Sequence, residues 1–197
     1  MLEQEPTAIE PDWLPPASNR FREYERKALE IRRFAGTGIF ERLNPHRLAE
    51  LLNLKVLSLA DIDQLSDHAR GHLAQSDNWS AGTTTPLPDG SRVIVINDKQ
   101  SYGRQSATLM EEICHTLLGH DPSVISAAKA GGRSYNETVE EEAYAVGAAA
   151  LVPFRALAEF LSRGDSVDKI ARHFGVTKSL IEYRMRVLDL WTSGWVK

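Results

Sequence analysis

Residues 91–97 read SRVIVIN, with Val93, Ile94, Val95 and Ile96 in a row behind an Asp89-Gly90 turn. β-Branched residues bounded by a turn signal of this kind predict a strand. Only the run 55–59 (KVLSL) alternates in a comparable way. Around these two segments the periodicity is helical. A helix is predicted over 20–34, where Phe21, Tyr24, Ala28 and Ile31 share one face, Ser18 and Asn19 are cap candidates, and Gly36 and Gly38 follow. A short helix is predicted over 45–52, with Asn44 as N-cap and Pro45 in its first turn. Further helices are predicted over 60–74, over 104–118 with Gly119 at its end, over the Ala-rich 138–152 ahead of Pro153, and over 166–190 with a turn at Gly175. Residues 121–134 read as a loop or a broken helix. Two strands among so many helices predict an α+β fold, mostly helical with a small β-sheet.

Composition sets the class. The chain has 197 residues, 42% hydrophobic and 25% charged, as expected of one globular domain with a small appendage and a core of its own. Residues 1–18 carry Glu3, Glu5, Glu10 and Asp12, four prolines and no Lys or Arg, and predict a disordered acidic leader. The single cysteine, Cys114, excludes an internal disulfide and points to a reducing, cytoplasmic setting. The first residues lack a basic and apolar signal pattern, and no apolar run approaches the roughly 18 residues of a membrane span. A net charge of −4 argues against a protein that binds nucleic acid over its whole surface.

The chemistry concentrates at Glu111-Glu112-Ile113-Cys114-His115. Helical residues four apart lie about 5–6 Å apart on one face, so Glu111 and His115 can reach one metal ion. Glu112 is turned by about 100° from Glu111, so it flanks that ion, where a carboxylate can take a proton from an attacking water. This is the mechanics of the H-E-x-x-H helix with Glu in place of the first His. A third ligand must come from elsewhere, and Glu140-Glu141-Glu142 on the later helix offers carboxylates. Each piece alone has a plainer reading. A Glu–His pair at this spacing is usually an ordinary helix contact, the Glu run a solvated face, and Cys114 a small core residue. His120, five residues past His115 and beyond Gly119, has a poor angle for a shared ion and reads as packing or capping. His68 and His72 form a rival pair but lack a neighbouring acid and have Gly71 between them.

In order, Trp79, Gly82, Asn97, Arg104, Thr108, Leu109, Glu112, His115, Leu117, Leu118 and His120, followed by Glu140, Glu142, Ala143, Ala148, Leu151 and Pro153, resemble the pattern of the ImmA/IrrE metallopeptidases. The resemblance implies a zincin-like domain over 19–153 and a helical extension over 154–197 packed on it. It implies Glu140 as the third metal ligand beside Glu111 and His115, Glu112 as the catalytic base, and Tyr144, where the family often has Asn or Asp, as a contact to the substrate or transition state. It implies zinc as the cofactor, although two carboxylates also suit Mn or Fe, and Glu at 111 is equally what a degenerate site without metal would carry. It implies a protein substrate, a helix-turn-helix transcriptional repressor, for a metal-dependent endopeptidase. The alternative is an impaired pseudo-peptidase acting as a binding or regulatory module.

The last segment resembles a helix-turn-helix, with Ala171, Gly175 and Ile181 at the small, turn and apolar positions and Thr177 as cap of its second helix. Residues 166–197 hold six basic residues and three acids, and Lys178, Arg184 and Arg186 are the candidates for phosphate contact. DNA is the weaker partner expectation; a hairpin packed on the main domain explains the same pattern.

Overall fold

The computed structural model describes residues 13–62, 66, 68, 71, 79–83, 92–120 and 136–191. Most of the predicted acidic leader, most of the helix predicted over 60–74, and the segment 121–134 lie outside the described residues, as does His72.

Helix α1 (Asn19–Phe34) opens the fold. Tyr24, Ala28 and Ile31 are buried along one face, as the periodicity predicts, and Glu25 and Arg32 are buried with them. Helix α2 (Pro45–Leu51) starts where Asn44 accepts from the amides of His46 and Arg47. Strand β1 (Leu54–Ser58) ends in a capped 3₁₀ turn over Leu59–Asp61, and Ile62 is extended, so no α-helix starts at Ala60. The Ser58–Asp61 capping box favours that tight turn over helix continuation.

Strands β2 (Ala81–Thr83) and β3 (Arg92–Ile96) complete a three-stranded sheet of order β1-β3-β2. β3 pairs in parallel with β1, with Leu54 opposite Arg92 and Ser58 opposite Ile96, and antiparallel with β2. Only three residues long, with Gly at its centre, β2 carries too little β-branched pattern to stand out in the sequence. The central strand turns Ile94 and Ile96 into the core.

Buried Asn97 ends β3. Its side-chain amide donates to the Trp79 carbonyl at 3.2 Å, and its side-chain oxygen accepts from the Lys99 amide at 3.1 Å. The chain then turns into helix α3 (Tyr102–Leu117), which places the Glu111–His115 segment. Helix α4 (Glu137–Leu151) is capped by Asn136 and lies against α3 and α1. Its alanines at 143, 145, 148, 149 and 150 are all buried. At the crossing with α3 stands Gly147, where a Cβ would come to 3.4 Å from the backbone of Met110 and Glu111. A small-residue surface lets the two helices approach closely enough for their ionisable side chains to meet.

Pro153 breaks the path before helix α5 (Phe154–Ser162). Helices α6 (Val167–Phe174) and α7 (Lys178–Val187) follow, joined through Gly175 at φ +68°. Ala171 and Ile181 are buried between them and the rest, and Thr177 accepts from the Leu180 amide. One apolar core runs from Tyr24 to Leu190, so residues 154–190 share it with the helices before Pro153. Among the described residues no single helix is long and apolar enough to cross a membrane.

Arg184 corrects the expectation of a phosphate contact. It is 1% exposed, donates to the Glu25 carboxylate on α1, and donates through Nε to the Val152 carbonyl at 3.1 Å. Lys178 pairs with Asp168 at 2.6 Å, and Arg186, exposed, lies 5.8 Å from the Tyr183 ring centre.

Candidate metal centre

The helical register of α3 sets Glu111 and His115 one turn apart, and α4 crosses beside them with Glu140 in its first turn. One carboxylate oxygen of Glu111, one ring nitrogen of His115 and one carboxylate oxygen of Glu140 all lie within 4.8 Å of one another. The Nε2 atom of His115 is 3.5 Å from Glu140 Oε2, so that nitrogen faces the point of convergence. The three residues proposed from sequence as ligands are therefore brought together. His68 is exposed and belongs to no such group among the described residues.

The electrostatics fit a cation. Burial pushes the Glu111 carboxyl up to about 7, and the charges of Glu112 and Glu140 push the same way, against the lowering effect of Arg104. At Glu111 burial and the two neighbouring acids outweigh Arg104, and a divalent ion would offset the negative charge gathered there. Two carboxylate oxygens and one imidazole nitrogen form a donor set that zinc, manganese or iron accepts, with coordination positions left over. Glu112 is part-buried on α3 and stands outside the converging triad, close enough for its charge to act on Glu111.

Tyr144 lies one turn after Glu140 on α4. Burial raises its phenol pKa, and the Glu111 charge raises it further. Its ring meets Tyr183 of α7 edge to face, with centroids 4.9 Å apart. The side chain thus stands beside the triad, braced by the C-terminal helix.

The other acids of the run divide by face. Glu141 points to Arg20 at 3.1 Å, both well exposed. Glu142 accepts from Lys27 at 2.6 Å and meets His120 at 3.3 Å. Its pKa is lowered, first by the Lys27 hydrogen bond.

Cys114 is fully buried in the core, as expected, and burial raises its thiol well above the ordinary range. His120 does cap, its amide donating to the His115 carbonyl at 3.0 Å. Its ring, however, turns back to lie 3.2 Å from the His115 ring nitrogen. Gly119 at φ +70° makes that return. Continued helical advance would instead carry His120 to another side, the poor angle that its spacing from His115 predicts. Lys27 was not among the candidates, and nothing in the α1 pattern singles it out.

The family comparison covers this site. The model of the IrrE N-terminal-like domain, Peptidase_M78, matches residues 52–186. A solved structure described as a Mycobacterium tuberculosis transcriptional regulator aligns with a TM-score of 0.51 at 14% identity, covering 83% of this chain. At that identity the likeness shows the fold alone, and the chain spans 46% of the length of that structure. No curated protein matches the sequence. With a family model spanning well over half its length and containing the whole constellation on α3 and α4, the chain belongs to the IrrE N-terminal-like peptidase family.

Proposed function

We propose that this protein is a metal-dependent endopeptidase acting on a protein substrate, with Glu111, His115 and Glu140 holding the metal. The convergence of those three side chains within 4.8 Å carries this reading. A bound divalent ion supplies Lewis-acid polarisation at the scissile carbonyl and acidifies water. Glu112 takes the proton from the attacking water as its oxygen bonds to the carbonyl carbon. It returns that proton to the departing amine as the C–N bond breaks. Tyr144, whose phenol feels the Glu111 charge, would donate a hydrogen bond to the substrate oxygen as negative charge develops there.

By family resemblance the substrate is a helix-turn-helix transcriptional repressor. Metal-loaded protein is to be incubated with purified repressors of this type encoded near its gene, alongside Glu112→Gln. Cleavage by the wild type and none by the variant supports the assignment; equal cleavage by both removes Glu112 from its role.

Glu111 itself favours a second reading. A second carboxylate in place of an imidazole weakens the ion's pull on water, so the chain can retain the fold as a binding or regulatory module with little hydrolysis. Glu111→His separates the two: a large gain in cleavage over an inert wild type favours the module.

A further inference from the structure

A line of polar contacts continues behind His115, away from the point of convergence. His115 Nδ1 lies 3.2 Å from His120 Nδ1. His120 Nε2 lies 3.3 Å from Glu142 Oε2. The other oxygen of Glu142 accepts from the Lys27 ammonium at 2.6 Å. Four side chains thus join α3, the turn after it, α4 and α1. The His120 side chain is 8% exposed, and its ring sits edge to face with that of His115 at 5.2 Å between centroids.

Proton placement along this line is constrained from both ends. Nε2 of His115 faces Glu140 and the convergence point, and a nitrogen that ligates a metal must keep its lone pair. The proton of neutral His115 then sits on Nδ1 and is donated to His120 Nδ1. That atom must be bare to accept it, so the proton of His120 sits on Nε2 and is donated to Glu142. Lys27 can only donate, and it fills the remaining Glu142 oxygen. A single arrangement of neutral imidazoles satisfies the line from His115 through His120 to Glu142, and it leaves His115 Nε2 bare opposite the Glu140 oxygen, two lone pairs that a metal ion would bridge. Ligating imidazoles are commonly oriented by a hydrogen bond from the second ring nitrogen to a carboxylate, directly or through one more group.

We propose that His120, with Glu142 and Lys27 behind it, is a positioning residue that holds His115 in its metal-ready tautomer and orientation. The proposal rests on the metal reading given above. It assigns to α1, distant in sequence from the ligands, a part in metal affinity.

The test uses the full chain, freed of metal and titrated with Zn²⁺ or Co²⁺ against a competing chelator at fixed pH. His120→Phe keeps a ring in the same space and removes both nitrogens; it is expected to weaken metal binding by about 10–100-fold. His120→Gln, which has an acceptor and a donor on one side chain, is expected to recover part of that loss. Lys27→Met, which keeps the length and removes the charge, is expected to weaken binding by a smaller factor, and it decides the matter if His120→Phe fails to fold. Melting of the metal-free Lys27→Met protein separates a local effect from general destabilisation. Nitrogen-15 imidazole spectra of the wild type are expected to show His115 protonated at Nδ1 and His120 at Nε2. Wild-type metal binding with unchanged affinity in folded His120→Phe and Lys27→Met overturns the positioning role and leaves the peptidase reading standing. A wild type that takes up no metal overturns both.

Discussion

Arg184 on the last helix and Glu25 on the first form an ion pair closed to solvent, their side chains 1% and 0% exposed. Glu25 also accepts from the Phe154 amide at 2.6 Å, just past the break at Pro153, and Arg184 also donates to Val152. One pair thus ties together α1, the α4–α5 junction and α7. Removing one partner leaves the other charge buried and unanswered, which typically costs about 3–5 kcal/mol. Arg184→Ala and Glu25→Ala are each expected to lower stability by that order in chemical denaturation. The double variant Glu25→Leu/Arg184→Met is expected to recover much of the loss.

Gly103, in the first turn of α3, faces the turn between α6 and α7. A Cβ there would stand 2.7 Å from the Val176 carbonyl carbon and 2.8 Å from the Thr177 nitrogen. Backbone atoms cannot step aside as a flexible side chain can. Gly103→Ala is therefore expected to destabilise the protein by about 1–3 kcal/mol, against the roughly 1 kcal/mol that alanine favours over glycine within a helix. A denaturant midpoint below that of the wild type checks it; a higher midpoint would mean that the C-terminal hairpin does not sit on α3.

Glu112 lies outside the ligand triad, so its loss should spare the metal. Glu112→Gln is expected to keep metal affinity within a few-fold of wild type while hydrolysis falls by at least about 10²-fold, the low end for a lost acid–base group. Metal titration and cleavage assays on the same preparation check both halves. Loss of metal together with activity would place Glu112 among the ligands.

Glu111 occupies the place that an imidazole holds in an H-E-x-x-H helix. Glu111→His replaces a carboxylate whose pKa burial has pushed up to about 7 with a second imidazole. Zinc affinity is expected to rise and preference to move from Mn²⁺ toward Zn²⁺, as read by competition between the two ions. An unchanged preference would show that residue 111 does not touch the metal.

Much of this was legible in the sequence because it depends on local spacing. The i, i+4 relation of Glu111 to His115, the Asn44 cap, the strand through Ile94 and Ile96, and the Gly175 turn all follow from neighbours along the chain. The parts that escaped depend on long-range meetings. Arg184 read as a surface base because nothing local reveals a Glu25 carboxylate 159 residues away. His120 read as packing or capping, which its amide bears out, but the approach of its ring to His115 escaped because one left-handed residue, Gly119, reverses the direction that helical spacing assumes. Lys27 acquires its meaning only once α4 lies across α1. Strand β2 is too short to print a period of two.

Glu111, His115 and Glu140 are proposed here to hold a metal ion. The direct measurement is elemental mass spectrometry on protein purified without chelators or metal-affinity resin, beside His115→Ala and Glu140→Gln. About one equivalent of Zn, Mn or Fe per chain is expected, as three ligands with an open position imply, with a large loss in both variants. A wild type that carries no metal and takes none up on titration, or variants that retain a full equivalent, would contradict it.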